Sequence, residues 1–343
     1  MCTLSVLLGV ALLASTVSAA GNTCKQGNVV HKPNSNTTNY YYWPSTWREN
    51  TTAPKLATGQ DCSWTVTVPA GYYAKLIMDG KVVDKDSRFQ TIDAAGNLVR
   101  STHETKQPYY FPPAKFTLVV STEGAATFAF KIVWAPIPTQ PGTDYGIGSV
   151  SHLVNATNAI YNDLYGTTNK LSLVVFPEDI HNSHHLRSVL MFNGNWKNPT
   201  YISNLELVYK AGQQYIADDG EIILVNVEVS ETHDYFLMQE YDYLKNLGQY
   251  KALECNPNTN CTVTIDGGNK PSAVVTAAHQ NVSLVDVQMD PNANISVYFS
   301  SITNFGFDNV YSGAEIKNHL PIYYNYVMQF VVSSGKAVLN FSF

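Results

Sequence analysis

In Cys62-Ser-Trp-Thr-Val-Thr-Val-Pro-Ala-Gly71-Tyr-Tyr-Ala-Lys-Leu-Ile-Met78, apolar and polar side chains alternate strictly. Trp64, Val66 and Val68 fall on one face, and Ser63, Thr65 and Thr67 on the other. A period of two is the mark of a half-buried β-strand. Pro69-Ala70-Gly71 interrupts it, because proline offers no N–H and glycine bends freely. A second strand follows, with Ala74, Leu76 and Met78 as its expected inner face.

Outward from this segment, the same alternation recurs at Phe128, Phe130, Ile132 and Trp134, which predicts a closing strand. Ala135-Pro-Ile-Pro-Thr-Gln-Pro-Gly142 then reads as a semi-rigid linker. The expected division is a signal peptide over 1–20, a first domain over 21–135, a linker over 136–144 and a second domain over 145–343. In the second domain, strands are expected at Leu171–Phe176, Ser188–Phe192, Leu205–Tyr209 and Ile222–Val229, and again from Thr262 onward. Short helices are expected at Ser151–Tyr165 and Met238–Tyr250. The halves also echo one another. Cys62-Ser-Trp-Thr-Val-Thr-Val parallels Cys261-Thr-Val-Thr-Ile, and Pro108-Tyr-Tyr with Phe116–Gly124 parallels Pro321-Ile-Tyr-Tyr with Met328–Gly335.

Residues 1–20 carry no charge, Leu4–Leu13 is an apolar run, and Val17-Ser18-Ala19 offers small residues for cleavage. These features predict a secretory signal peptide cut after Ala19 or Ala20. No later apolar run approaches a membrane span, and no lipid-anchor signal closes the chain, so a secreted extracellular protein is expected. Cys24, Cys62, Cys255 and Cys261 remain after cleavage and allow three pairings. Cys24–Cys62 and Cys255–Cys261 keep each bridge inside one domain. In the chain-entropy account they are worth about 4 and about 2 kcal/mol. Glycosylation acceptors stand at Asn36, Asn50, Asn155, Asn260, Asn281, Asn294 and Asn340.

The half-cystine, the Trp-Thr-Val alternation, the Pro-x-Gly turn and the aliphatic return strand resemble the opening hairpin of a CUB-type β-sandwich. More narrowly, they resemble the CUB-like domain of secreted nematode proteins. The resemblance covers about 115 residues and implies a mainly β chain. The expected fold is two antiparallel β-sandwich domains, the first CUB-like (jelly-roll type), the second a diverged CUB-like sandwich with short helical insertions. It also implies the Cys24–Cys62 bridge, whereas the family's second bridge has no cysteines here. By resemblance alone the expected role is non-catalytic extracellular binding in innate immune or pathogen response. The partners would be extracellular glycans, microbial surfaces or secreted proteins. A matrix or surface-coat protein is the alternative, and a secreted hydrolase a more distant one.

Many CUB domains bind calcium, and Asp79, Asp84, Asp86 and Asp93 lie in the matching stretch. The acidic residue expected before it is missing, so solvated loop acids are the expectation and calcium the alternative; no cofactor and no metal are expected. His181-Asn-Ser-His184-His185 is expected to be an exposed loop, since it lacks the helical context of a zinc motif. Glu178 and Asp179 are adjacent and would point to opposite faces of a strand, unlike a glycosidase pair. No Gly-x-Ser-x-Gly elbow occurs, so no catalytic residue is expected. Net charge is −6, only 14% of residues are charged and no basic cluster occurs, which excludes a nucleic-acid footprint. The aromatic cluster Tyr40–Trp47 supplies the expected ligand contacts Tyr40, Trp43 and Trp47, with capping of the sandwich as the plainer role.

Overall fold

The computed structural model describes residues 21–34, 39–139, 142–256, 258–277, 282–324 and 326–342. The signal peptide, Asn36 and Asn281 therefore lie outside the described residues. The fold is mainly β, built from stacked, largely antiparallel sheets. The first region runs β1 (Asn28–Val30), β2 (Tyr40–Trp43), β3 (Gln60–Thr67), β4 (Tyr72–Val82), β5 (Arg88–Ile92), β6 (Leu98–Ser101), β7 (His103–Thr105), β8 (Tyr109–Phe111), β9 (Lys115–Thr122) and β10 (Ala126–Pro136). The middle region runs β11 (Thr143–Gly146), β12 (His152–Asn155), β13 (Tyr161–Gly166), β14 (Leu171–Phe176), β15 (Val189–Asn193), β16 (Thr200–Asn204), β17 (Tyr215–Ala217), β18 (Glu221–Asn226) and β19 (Tyr235–Glu240). The last region runs β20 (Gln249–Ala252), β21 (Asn260–Asp266), β22 (Ser272–Ala277), β23 (Val282–Met289), β24 (Asn294–Phe299), β25 (Phe307–Ser312), β26 (Ile322–Tyr324), β27 (Val327–Val332) and β28 (Lys336–Ser342).

The three regions share one strand order. Sheet β1-β3-β9-β5-β6 faces β2-β10-β4-β7, sheet β11-β13-β18-β15-β16 faces β12-β19-β14-β17, and sheet β20-β22-β27-β24-β25 faces β21-β28-β23-β26. The first region has one strand more, because β7 and β8 both pair with β4. Each region opens with a short strand that pairs parallel to its third, β1 on β3, β11 on β13 and β20 on β22. The stretch from 145 onward, expected to be one sandwich, thus carries two face-to-face pairs of sheets.

Stacking explains the sequence pattern. In β3, on an outer sheet, Cys62, Trp64 and Val66 are buried while Ser63, Thr65 and Thr67 are only half-buried, so the strand alternates. In β18, Ile222 and Leu224 enter the core of the middle sandwich, whereas Ile223 and Val225 pack against the first. In β14, Leu171, Leu173 and Val175 face the same core, and Val174 and Phe176 face the last sandwich. A strand buried on both faces reads as a continuous apolar run. The junctions are thereby apolar on the scale of a core, and each such buried side chain contributes ~1.5–3 kcal/mol.

Several local expectations are corrected. Trp64, Val66, Val68, Ala74, Leu76 and Met78 are all buried as expected. However, β3 and β4 lie in different sheets, so Pro69-Ala70-Gly71 is an arch between layers and not a hairpin turn. Gly71 takes φ 79°, a left-handed conformation open to glycine. Ser151–Tyr165 is not helical: it forms β12 and the start of β13, joined by a turn in which Asn155 Oδ1 accepts from the Thr157 and Asn158 N–H groups. Met238–Tyr250 ends β19, makes one 3-10 turn at Tyr241–Tyr243 and opens β20. Leu205–Tyr209, expected as a strand, lies in the helix α1 (Leu205–Lys210), capped by Asn204 Oδ1 on the Leu207 N–H at 3.1 Å.

Candidate interaction surfaces

The four aspartates do not converge. Asp84 accepts from the Ser87 hydroxyl at 2.7 Å and from the Asp86, Ser87 and Gly124 N–H groups, and these bonds hold its carboxyl below the usual range. Asp79 accepts from the Ala53 N–H at 3.0 Å and lies 3.5 Å from Lys106 Nζ. Asp93 accepts from the Ala95 and Asn97 N–H groups, from Asn97 Nδ2 and from the Tyr201 hydroxyl of the middle sandwich at 3.0 Å. Three of the four carboxylates thus organise turns or a junction. Among the described residues no group of three or more His, Cys, Asp or Glu is arranged to hold a metal ion.

The aromatic cluster divides. Trp47 is only 3% exposed, packs with Tyr42, Ala53 and Ala129, and donates its indole N–H to the Thr51 carbonyl at 3.2 Å. Trp43 is half-buried, stacks on Phe130 at 6.1 Å and meets Trp64 edge-on at 5.1 Å. Burial corrects the expected ligand contact Trp47 to a core residue, and Trp43 packs half-buried against the core of the first sandwich. Tyr40 remains open at 46% exposure, edge-on to Tyr42 at 5.4 Å. Arg48 and Lys131 lie over the Tyr42 ring, and Lys131 pairs with Glu49 at 2.5 Å.

The histidine loop is a junction element. His184 and His185 begin a 3-10 turn at His184–Ser188, with His184 buried and His185 half-buried. Together with Tyr110, Glu228 and Ser230 they line a cavity of about 210 Å³ between the first and middle sandwiches. Burial, then the neighbouring His185 and Arg187 charges, hold His184 down to about 4. Ser230 Oγ lies 3.0 Å from His185 Nδ1, which has the outline of a nucleophile and a base. The same oxygen is bound to Thr232 Oγ1 at 2.9 Å and accepts from the Thr232 N–H. Among the described residues no carboxylate orients His185, since Asp234 binds Thr232 and Thr157 instead.

Sequence reasoning missed the charged centre of this junction. Arg187 Nε donates to Glu206 at 2.8 Å, and its guanidinium lies 3.8 Å from the Tyr109 ring centroid in the first sandwich. Glu104 accepts from the Tyr109 hydroxyl at 3.0 Å and from Ser101. Burial raises the Glu104 carboxyl, with Arg187 opposing. The partners are 83 residues apart in the chain (187 minus 104), so no local pattern marks them. Beside them, Lys75 Nζ reaches both oxygens of Glu228 at 2.6 Å.

The bridges Cys24–Cys62 and Cys255–Cys261 are both formed, with Cα separations of 5.6 and 5.8 Å. Of the described acceptors, Asn50, Asn260 and Asn294 are exposed. Asn155 and Asn340 are half-buried, and Asn340 Nδ2 donates to Asp286 at 3.1 Å.

Residues 19–138 match the family described as the CUB-like domain. Residues 242–343 match a domain of unknown function, DUF7591. The first match covers the first sandwich, and the second covers the last. No curated protein matches the chain. Among solved structures, the CUB1-EGF-CUB2 domains of rat MASP-1 share 8% identity over 62% of this chain and 99% of that one, at a TM-score of 0.25. The full extracellular region of zebrafish Gpr126/Adgrg6 shares 8% over 94% and 52%, also at 0.25. Scores this low carry no weight for the arrangement or the role.

Proposed function

We propose that this chain is a secreted, N-glycosylated protein that acts by non-catalytic binding at the cell exterior, in innate defence against microbes. The observation that carries this reading is the CUB-like match over a disulfide-bridged sandwich whose strand order recurs twice along a stack with buried junctions. Such a stack presents its loops and strand edges in fixed relation, which suits recognition. CUB-like domains are extracellular interaction modules, and both bridges fit an oxidising compartment. Microbial or host glycans and secreted proteins are the partners, and the exposed Tyr40 is the contact on the first sandwich, offering area and a hydroxyl together. Asn50, Asn260 and Asn294 carry the glycans, because their amides are exposed, whereas that of Asn340 is engaged.

Retention of the purified glycoprotein on bacterial cells and on a glycan array tests this, beside Tyr40→Ala. Retention by the native protein with at least tenfold loss in the variant is expected. A folded variant that binds equally removes the contact. Native protein that binds neither cells nor glycans removes the glycan reading, and mass spectrometry showing all seven acceptors bare removes the glycoprotein.

A further inference from the structure

At the start of β10, Phe128 enters the core of the first sandwich, so its neighbour Thr127 stands on the outer face of the sheet. Thr127 pairs with Lys81 of β4 along one edge and, through a single bridge, with Lys55 along the other. Residues directly opposite in antiparallel strands share a face. Lys55, Thr127 and Lys81 therefore form one outward row, with the two lysine Cα atoms about 10 Å apart, or two strand spacings.

Two residues along each segment lies a second row, Ala57, Ala125 and Val83. It shares the face of the first, because Leu56, Ala126 and Val82 between them all turn into the core. The six outward residues line one open trough of about 620 Å³. The alanines are too small to fill it. Val83 is 79% exposed and Ala125 is exposed as well, so apolar surface is left in water beside the lysines.

The charge here is of one sign. Both lysines are exposed, and among the described residues neither forms an ion pair and no carboxylate lines the trough. Asp79, one row further along β4, is taken by the Ala53 N–H at 3.0 Å and by Lys106 Nζ at 3.5 Å. Thr127 Oγ1 accepts from the Lys81 N–H at 3.2 Å, which leaves its own proton to donate.

We propose that this trough binds a single-chain lipid ended by a phosphate monoester. The phosphate sits between Lys55 and Lys81, with the Thr127 hydroxyl donating to it, and the first part of the chain lies over Ala57, Ala125 and Val83. A phosphate monoester carries close to two negative charges and so matches two cations, where a carboxylate would match one. Inorganic phosphate would leave the apolar row in water, and an uncharged chain would leave both lysines unpaired. This goes beyond the reading above and does not depend on glycan binding by the first sandwich.

The probe is octyl phosphate below its micelle concentration, titrated calorimetrically into the intact disulfide-bonded chain beside octanol, inorganic phosphate and vesicles of phosphatidate with phosphatidylcholine. Octyl phosphate is expected to bind at least about tenfold more tightly than octanol or inorganic phosphate. Lys55→Gln/Lys81→Gln should weaken octyl phosphate about tenfold and leave octanol unchanged. Ala125→Trp, at an exposed position, fills the trough and should weaken octyl phosphate by about as much. Thermal midpoints check that both variants stay folded. The proposal is overturned if inorganic phosphate or octanol binds as tightly as octyl phosphate, or if either folded variant binds octyl phosphate like the native chain. It is overturned too if octyl phosphate does not bind, and capture on the vesicles in that case would assign the trough to a membrane surface.

Discussion

The two junctions of the stack are built from different chemistry. Both have an apolar frame: Leu190, Ile223 and Val225 against Tyr73 and Tyr110 in the first, Val174, Phe176 and Leu237 against Ala273, Val327 and Val331 in the second. At the centre of the first lie the charged groups Arg187, Glu206 and Glu104. At the centre of the second lies a neutral ring of hydrogen bonds. Gln239 Nε2 donates to the Tyr250 hydroxyl, which donates to Gln329 Oε1 at 2.9 Å, and Gln329 Nε2 donates to Gln239 Oε1 at 3.1 Å. Apolar surface alone would let two sandwiches slide. A buried polar centre is satisfied in one register only, and each junction has its own. Charged centres respond to pH and neutral ones do not.

Removing the charge at the first centre should have the largest effect. Arg187→Met leaves Glu206 and Glu104 buried with their shared cation gone, and Lys210 compensates only Glu206, at 2.9 Å. A loss of about 3–5 kcal/mol is expected from denaturant midpoints. Adding Glu104→Gln to Arg187→Met should recover part of it, because the uncompensated carboxylate is then neutral. If the single substitution costs under about 1 kcal/mol, the charged centre is not what registers this junction. At the second centre, Gln329→Leu removes the acceptor of Tyr250 and the donor to Gln239, two buried groups. About 1–3 kcal/mol is expected by the same measurement, with no dependence on pH between 5 and 8. A pH-dependent loss there would break the contrast between the junctions.

The contrast also shows what the sequence could carry. The faces of β3 and β4 were legible because each has the core on one side only, so alternation survives. Their connection was not, since a Pro-x-Gly break suits an arch as well as a hairpin. The pairing of Pro108-Tyr-Tyr with Pro321-Ile-Tyr-Tyr finds equivalent strands, as β8 and β26 both pair near the start of the fourth strand and lead into β9 and β27. The pairing of Cys62 with Cys261 does not: Cys62 lies on the third strand of its sandwich and Cys261 on the second of its own, so the bridges are not equivalent. Helix α1 was missed because Leu-Glu-Leu-Val-Tyr fits either period, although Asn204 at the cap and the Glu206–Lys210 spacing favoured a helix. Trp47 was offered to a ligand because nothing local tells an aromatic that covers a sheet from one that faces solvent. Arg187 and Glu104 were invisible, since only the stack brings them together.

A smaller effect separates the junctions by acidity. His184 is held down to about 4 in the folded chain, whereas an unfolded histidine takes up its proton near 6.5. The unfolded state therefore binds more protons between those values, and stability falls as pH drops through that window, flat above it. Glu104 opposes this, because its raised carboxyl makes the folded state the better proton acceptor above the ordinary carboxylate range. His184→Asn should remove the acid-side loss and leave the weaker opposite slope of Glu104. Urea midpoints from pH 7 to pH 4 check this, and an unchanged profile would place the pH response elsewhere.

The smallest effect is expected at the rim of the first junction, and it tests whether charge there matters by position or merely by presence. Lys75 and Glu228 make a geometrically close pair, both carboxylate oxygens at 2.6 Å from Nζ, yet their side chains remain 24% and 39% exposed. Water screens such a pair, and ordering the lysine offsets much of the attraction. Lys75→Ala should cost no more than about 1 kcal/mol, and 0.5 M salt should erase most of that. Arg187 sits in the same junction with the same sign of charge but is enclosed by Glu206 and the Tyr109 ring. If Lys75→Ala instead costs as much as Arg187→Met, enclosure is not what gives the charged centre its weight. The first junction would then be held by charge spread across the whole interface, and salt should loosen it as a unit while leaving the Gln239–Tyr250–Gln329 ring intact.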